Sequence, residues 1–108
     1  MADSVIFPQD FVQKYSNQQL IEALIIDVRE PYEWDYYHLE HSQLIPMKQI
    51  PQRLAELPHD RDIYIICAHG IRSAVVTDYL IQHAQHTRVY NVAGGMAAVA
   101  ELLGFDYD

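Results

Sequence analysis

Hydrophobic positions in this 108-residue chain form two kinds of pattern that alternate along its length. Short continuous runs of aliphatic residues predict strands that are buried on both faces. Segments with apolar residues on one side of a 3.6-residue period predict helices. The predicted strands are Val5–Phe7, Leu24–Val28, Gln43–Pro46, Ile63–Ile66 and Arg88–Val92. Five helices are predicted. The first two begin at Pro8 and Pro31, and the other three cover Gln49–Leu57, Ser73–His83 and Met96–Leu103.

The lengths of the connections indicate how the strands are joined. Residues 29–42, 47–62 and 68–87 connect the last four predicted strands, and these stretches are 14, 16 and 20 residues long. A crossover between parallel strands needs about a dozen residues, and each of these stretches carries a helical pattern. We therefore predict one α/β domain over residues 1–108, with a mostly parallel sheet and helices on both of its faces.

Composition narrows the function classes. The chain has seven Lys and Arg and fifteen Asp and Glu, which gives a formal net charge of −8. No basic stripe is visible, and this argues against a nucleic acid or an anionic membrane as partner.

No apolar run approaches the roughly 18 residues of a membrane span, and the first residues lack the basic and apolar regions of a leader. We expect a cytoplasmic protein. A single cysteine, Cys67, excludes an internal disulfide and a multi-cysteine metal site.

The candidate chemistry concentrates where the strand Ile63–Ile66 ends. Cys67 follows this strand directly, and Gly70 and Arg72 then lead into a predicted helix. Sites in open α/β sheets form at the carboxyl ends of strands, and the start of a helix favours an anion. Gly70 lets successive amides turn inward, and together with Arg72 they favour a reactive thiolate. The alternative is a buried, inert cysteine at the end of a core strand.

Three blocks of the sequence, in their order along the chain, resemble the rhodanese family of sulfurtransferases. The blocks are Ile26–Pro31 with Glu33-Trp34, Cys67–Ser73, and Val89–Met96 with its paired glycines. The resemblance covers nearly the whole chain. It implies the rhodanese-like fold, a five-stranded parallel sheet flanked by helices.

The resemblance also implies a reaction and a site. Cys67 would accept sulfur from a small sulfane-sulfur donor such as thiosulfate, forming a persulfide, and pass it to cyanide or to a thiol, which a protein can supply. The family's active-site loop matches the substrate-binding candidates Ala68, His69, Gly70, Ile71, Arg72 and Ser73, and the supporting candidates are Asp27, Arg29 and His38. No metal or organic cofactor is expected. Because Ala68 stands where relatives often carry a basic residue, Arg72 is expected to be the main cation for an anionic donor.

Other interpretations remain open. In the segment 37–42 both glycines of a family motif are missing, although His38 remains. A cysteine phosphatase or arsenate reductase places five residues between Cys and Arg, whereas four separate Cys67 from Arg72. A rhodanese-fold module that binds a partner without turnover is the alternative outside enzymes. A metal site would need the ligands His38, His41, Cys67 and His69. The segment 104–108 is a further candidate contact for a partner.

Overall fold

Five strands form one sheet in the computed structural model, which describes residues 4–105 and residue 107. The strands are β1 (Val5–Ile6), β2 (Leu24–Asp27), β3 (Ser42–Leu44), β4 (Ile63–Ile66) and β5 (Val89–Val92). Their order across the sheet is β1-β5-β4-β2-β3, and all four neighbouring pairs are parallel. The predicted α/β class and five-stranded parallel sheet are therefore confirmed.

The described residues form four α-helices, of which the first three connect strands and the last follows β5. They are α1 (Pro8–Ser16), α2 (Pro31–Tyr36), α3 (Ile71–Ala84) and α4 (Gly95–Leu103). Helix α3 begins two residues before the predicted start at Ser73. The largest difference concerns Gln49–Leu57, because the structure has a 3₁₀ segment at Met47–Glu56. Pro51 inside this segment lacks an N–H group, and Arg53 leaves helical geometry with φ −120° and ψ 24°, so a continuous α-helix cannot form there.

A hydrophobic core lies on each face of the sheet. Ile65 of β4 points to one face, where it clusters with Val76 and Leu80 of α3. Ile66, the next residue of β4, points to the other face and clusters with Phe11 and Met96, which lie on α1 and α4. Strand β4 is thus buried on both sides, as its continuous apolar sequence predicts, and it supports the residue that follows it.

The carboxyl end of β4 lies where the chain changes direction across the sheet. From β2 the chain proceeds to β3 at one edge, whereas from β4 it proceeds to β5 on the opposite side. Such a switch point leaves a crevice at the carboxyl ends of the strands. Cys67 is the first residue after β4 and therefore stands at this crevice. Among the described residues, no helix is both long and apolar enough to cross a membrane.

Candidate active site

The sulfur of Cys67 is surrounded by hydrogen-bond donors from the loop that follows it. Cys67 is 1% exposed. The backbone amides of Gly70 and Ser73 donate to Sγ at N···S distances of 3.1 and 3.3 Å, and the Ser73 hydroxyl oxygen lies 3.2 Å from Sγ. Burial of the thiol is the largest single influence and raises its pKa. Hydrogen bonds from Ser73, Gly70 and His69 together outweigh burial, so the pKa of Cys67 lies below its ordinary value.

The backbone of Gly70 turns the loop toward the sulfur. Gly70 is the residue before α3 and has a φ of +95°, a left-handed conformation that glycine adopts without strain. A Cβ atom at this position would lie 2.9 Å from the backbone nitrogen of Gly94. Both the conformation and the close approach therefore exclude a side chain, which agrees with the role predicted for Gly70.

Helix α4 holds the carbonyl groups of the same loop. The amides of Met96 and Ala97, in the first turn of α4, donate to the carbonyl oxygens of Cys67 and Ala68 at 2.7 and 3.0 Å. A Cβ on Gly95 would lie only 2.5 Å from the Cys67 carbonyl oxygen, so this approach depends on glycine. Since these carbonyls are held by α4, the loop amides remain free to face the sulfur.

Ser73 connects the sulfur to a residue of β5. Its hydroxyl donates to Oδ1 of Asn91 at 2.5 Å, and Nδ2 of Asn91 lies 3.4 Å from the carbonyl oxygen of Gly70. Asn91 was not among the residues predicted for the site. The available signal was a buried amide in the otherwise apolar strand β5, Val-Tyr-Asn-Val, because buried polar side chains need partners.

Arg72, which the sequence predicts to be the main cation for an anionic donor, forms an ion pair with Glu33. Its Nη1 and Nη2 donate to the two carboxylate oxygens of Glu33 at 2.9 and 3.0 Å. The hydrogen bond from Arg72 lowers the pKa of Glu33, and the same contact raises the pKa of Arg72. The charge of Arg72 is thus largely compensated, and its side chain fixes the start of α3 against α2. Glu33 was quoted in a family block, but its spacing from Arg72 gave no sign of this pair.

Asp27 and Arg29, two of the supporting candidates, form an ion pair after the end of β2. Both side chains are fully buried, with Arg29 Nη2 2.8 Å from Asp27 Oδ2. Arg29 also donates to the carbonyl oxygen of Tyr37 and to the hydroxyl of Tyr107. These contacts engage all three nitrogens of the guanidinium, so Arg29 links the end of β2 to the neighbouring chain segments.

The end of the chain folds back toward the site. The Tyr107 ring meets the ring of His69 edge-on at 6.4 Å, and Phe105 packs against Tyr37 at 4.2 Å. The segment 104–108, proposed from the sequence as a partner contact, therefore contacts its own domain through these two residues. Asp106 and Asp108 lie outside the described residues.

His38 and His41, the two other histidines considered as metal ligands, have separate environments. His38 stacks on Trp34 at 3.7 Å and its Nδ1 donates to the Trp34 carbonyl oxygen. Nε2 of His41 lies 3.2 Å from the carbonyl oxygens of Leu20 and Ile21. Within residues 4–105 and 107, no three His, Cys, Asp or Glu side chains come together as metal ligands, so the four-ligand arrangement considered from the sequence is not assembled. Ile71, the first residue of α3, is 75% exposed.

Comparisons with known proteins agree with this geometry. A sulfurtransferase of Allochromatium vinosum is 38% identical over 79 residues, which cover 73% of each chain. The probable adenylyltransferase/sulfurtransferase MoeZ of Mycobacterium tuberculosis is also 38% identical over 79 residues, covering 71% of this chain but only 20% of that protein. The crystal structure of a rhodanese-like domain protein from Staphylococcus aureus superposes with a TM-score of 0.79 at 33% identity, over 89% of this chain and 90% of that one.

The family assignment follows from the extent of the match. The sequence profile of the rhodanese-like domain matches residues 8–102, a range that contains the Cys67 loop, the Asp27–Arg29 pair and the paired glycines at the start of α4. The chain belongs to the rhodanese-like domain family.

Proposed function

We propose that this protein is a sulfurtransferase in which Cys67 carries sulfane sulfur as a persulfide. The observation that carries the proposal is the convergence of two amides and one hydroxyl on a buried sulfur whose pKa is lowered. A thiolate is the nucleophilic form of cysteine, and this arrangement favours it without a metal. The sulfurtransferases among the relatives support the same activity.

The reaction consists of two displacements. The Cys67 thiolate attacks the outer sulfur of thiosulfate, a new S–S bond forms, and the bond to the inner sulfur breaks as sulfite leaves with the electron pair. The thiolate of an acceptor then attacks the terminal sulfur of the persulfide, and Cys67 leaves again as a thiolate. Both forms of Cys67 are anions, so preorganised amide donors stabilise each of them, and no external oxidant or reductant is consumed.

The charges near the loop bear on the choice of donor. Arg72 is neutralised by Glu33, Ala68 carries no charge, and the chain has a net charge of −8. A dianion such as thiosulfate therefore finds little cationic support beyond the amides at the start of α3. We expect a donor of lower charge, such as an alkyl persulfide, to load Cys67 at a lower concentration than thiosulfate does.

The geometry disfavours a phosphatase. A phosphate ester needs a loop wide enough for a tetrahedral oxyanion and a guanidinium that binds it. Here only four residues separate Cys67 from Arg72, and both Nη atoms of Arg72 are engaged by Glu33. The loop is suited to a single sulfur atom.

Intact mass spectrometry tests the proposal. The protein is incubated separately with thiosulfate, an alkyl persulfide and an aryl phosphate, and Cys67→Ser serves as the matched control. We expect a gain of one sulfur atom with the sulfur donors, located on the peptide that contains Cys67 and absent from the control, and its removal by added thiol. No gain with any sulfur donor would support a binding module, and phosphate release from the ester would support a phosphatase.

A further inference from the structure

The Ser73 hydroxyl lies between two groups that compete for its hydrogen. Its oxygen is 3.2 Å from Sγ of Cys67 and 2.5 Å from Oδ1 of Asn91. A hydroxyl carries one hydrogen and two lone pairs, so it donates to one neighbour and accepts from the other. Cys67, Ser73 and Asn91 are 1%, 0% and 8% exposed, which leaves little access for water to take part in this arrangement.

The orientation of the Asn91 amide decides which neighbour receives the hydrogen. Nδ2 lies 3.4 Å from the carbonyl oxygen of Gly70, and a carbonyl oxygen only accepts. Rotating the amide would bring two acceptors together at Gly70, so Oδ1 faces Ser73. Because Oδ1 also only accepts, the Ser73 hydrogen points to Asn91. Ser73 then presents a lone pair to the sulfur, which suits a protonated Cys67.

An ionised sulfur requires the opposite orientation. A thiolate or a persulfide anion only accepts hydrogen bonds, so Ser73 stabilises it only when its hydrogen rotates away from Asn91. That rotation leaves Oδ1 of Asn91 buried without a donor, which is unfavourable. The proton that Cys67 loses goes to solvent, whereas the Ser73 hydrogen stays on its own oxygen and changes only its partner.

We propose that Asn91 is a positioning residue for the sulfur chemistry, because it holds the Ser73 hydroxyl hydrogen while Cys67 is a thiol and releases it to the sulfur anion. Asn91 acts through Ser73 and opposes ionisation of Cys67, while its contact with Gly70 keeps the loop in place. The role of Asn91 in catalysis rests on the proposed function of Cys67. Its effect on the ionisation of Cys67 can be measured without any sulfur donor.

The test is a double-mutant comparison of Cys67 ionisation. The variants are Asn91→Leu, which resembles Asn in size but offers no acceptor, Ser73→Ala, and the two combined. The rate of alkylation by iodoacetamide against pH gives the ionisation midpoint, and thiolate absorbance gives a second measure. We expect Asn91→Leu to lower the midpoint by about one pH unit, a roughly tenfold gain in thiolate below the midpoint. We expect Ser73→Ala to raise the midpoint, and Asn91→Leu to have no effect when Ser73 is already Ala.

A purely structural role for Asn91 gives a different result. If Asn91 only supports the loop through Gly70, its replacement loosens the amides around the sulfur and raises the midpoint in both backgrounds. A rise, or equal shifts with and without the Ser73 hydroxyl, would overturn the proposal. Melting curves identify variants that fail to fold.

A second variant keeps the test independent of folding of Asn91→Leu. Asn91→Asp retains an acceptor that binds the Ser73 hydrogen more strongly, so the midpoint should rise further in the presence of Ser73 than in the Ser73→Ala background. Equal rises would reflect only the added charge and would overturn the proposal. Persulfide loading is followed separately by intact mass. If Cys67 forms a persulfide but the midpoint does not shift as predicted, only the role of Asn91 is refuted. If the midpoint shifts as predicted but no persulfide forms, only the sulfurtransferase function is refuted.

Discussion

Helices α3 and α4 begin alike, but their first turns bind different groups. Each follows a glycine of positive φ, +95° at Gly70 and +75° at Gly94, and neither has a side-chain cap. The third residue of α3, Ser73, donates its amide to the sulfur of Cys67. The corresponding residue of α4, Ala97, donates to a carbonyl oxygen of the Cys67 loop. The same free N–H groups of a helix start thus bind the sulfur of Cys67 in one case and backbone carbonyl oxygens in the other.

The difference between the two first turns shows how the loop after Cys67 presents N–H groups, and not carbonyl groups, to the sulfur. A peptide unit can turn either its N–H or its C=O toward the sulfur, and a carbonyl there would repel an anion. The first turn of α4 binds the carbonyls of Cys67 and Ala68 and so removes this possibility. The amides of Gly70 and of the first turn of α3 are then left for the sulfur. Helix α4 therefore makes the anion site at α3 possible without contacting the sulfur.

Replacing Gly95 should have the largest effect, because it breaks the contribution of α4. In Gly95→Ala the added Cβ would lie 2.5 Å from the Cys67 carbonyl oxygen, at a φ of +62°. We expect a loss of unfolding free energy on the order of 3 kcal/mol and loss of persulfide formation. Urea denaturation and intact mass measure the two effects.

The matched control for that variant is Gly104→Ala. Gly104 also has a positive φ, +88°, but a Cβ there meets nothing within 4 Å. It should show only the cost of backbone strain, about 1 kcal/mol, with full persulfide loading. If both variants lose equal stability and both load sulfur, the close contact of Gly95 with the loop has no importance.

Replacing Gly70 should act directly on α3, with a smaller effect on stability. Gly70→Ala forces a left-handed conformation and approaches the Gly94 nitrogen to 2.9 Å. We expect a loss of about 1–3 kcal/mol and a higher pKa of Cys67, because the amide of residue 70 no longer points at Sγ. Alkylation against pH measures the second effect. An unchanged ionisation midpoint would show that this amide contributes nothing to the thiolate.

The pair Arg72–Glu33 tests whether a side chain can add to the helix in binding an anionic donor. Glu33→Gln keeps the shape but releases the charge of Arg72, which is 33% exposed. We expect a severalfold lower KM for thiosulfate, an effect below about 1 kcal/mol because of solvent screening, and weaker binding at high salt. Arg72→Gln should change KM little. A strong rise in KM for Arg72→Gln would mean that the guanidinium leaves Glu33 to bind the donor.

The pH dependence of stability should show the smallest effect. The folded protein lowers the pKa of Cys67, so between this value and the usual thiol pKa the unfolded chain binds more protons, and stability rises with pH. The contribution is complete above the usual thiol pKa and is lost as the pH falls through the lowered pKa. The difference in unfolding free energy between the parent and Cys67→Ser should therefore grow as the pH rises from the lowered pKa of folded Cys67 to the usual thiol pKa. A flat difference would contradict a thiolate stabilised by the fold.

Local patterns in the sequence determined the architecture and the position of Cys67 within it. Continuous apolar runs such as Ile63–Ile66 can be buried on both faces only in a covered sheet, and the connection lengths require crossovers. The position of Cys67 after such a strand and before a helix also places it at a site. Gly70 was predictable for the same reason, since a tight turn toward the sulfur needs a left-handed residue. These features depend on neighbours within a few positions.

Contacts between distant positions were decided only by the tertiary structure. Arg72 meets Glu33, 39 positions away, and Ser73 meets Asn91, 18 positions away. Periodicity describes which face a residue occupies but not which side chain lies opposite, because that depends on how α2, α3 and β5 pack together. For this reason the sequence predicted Arg72 as the main cation for a donor but did not predict its ion pair with Glu33. For the same reason it left unnoticed the amide that receives the Ser73 hydrogen.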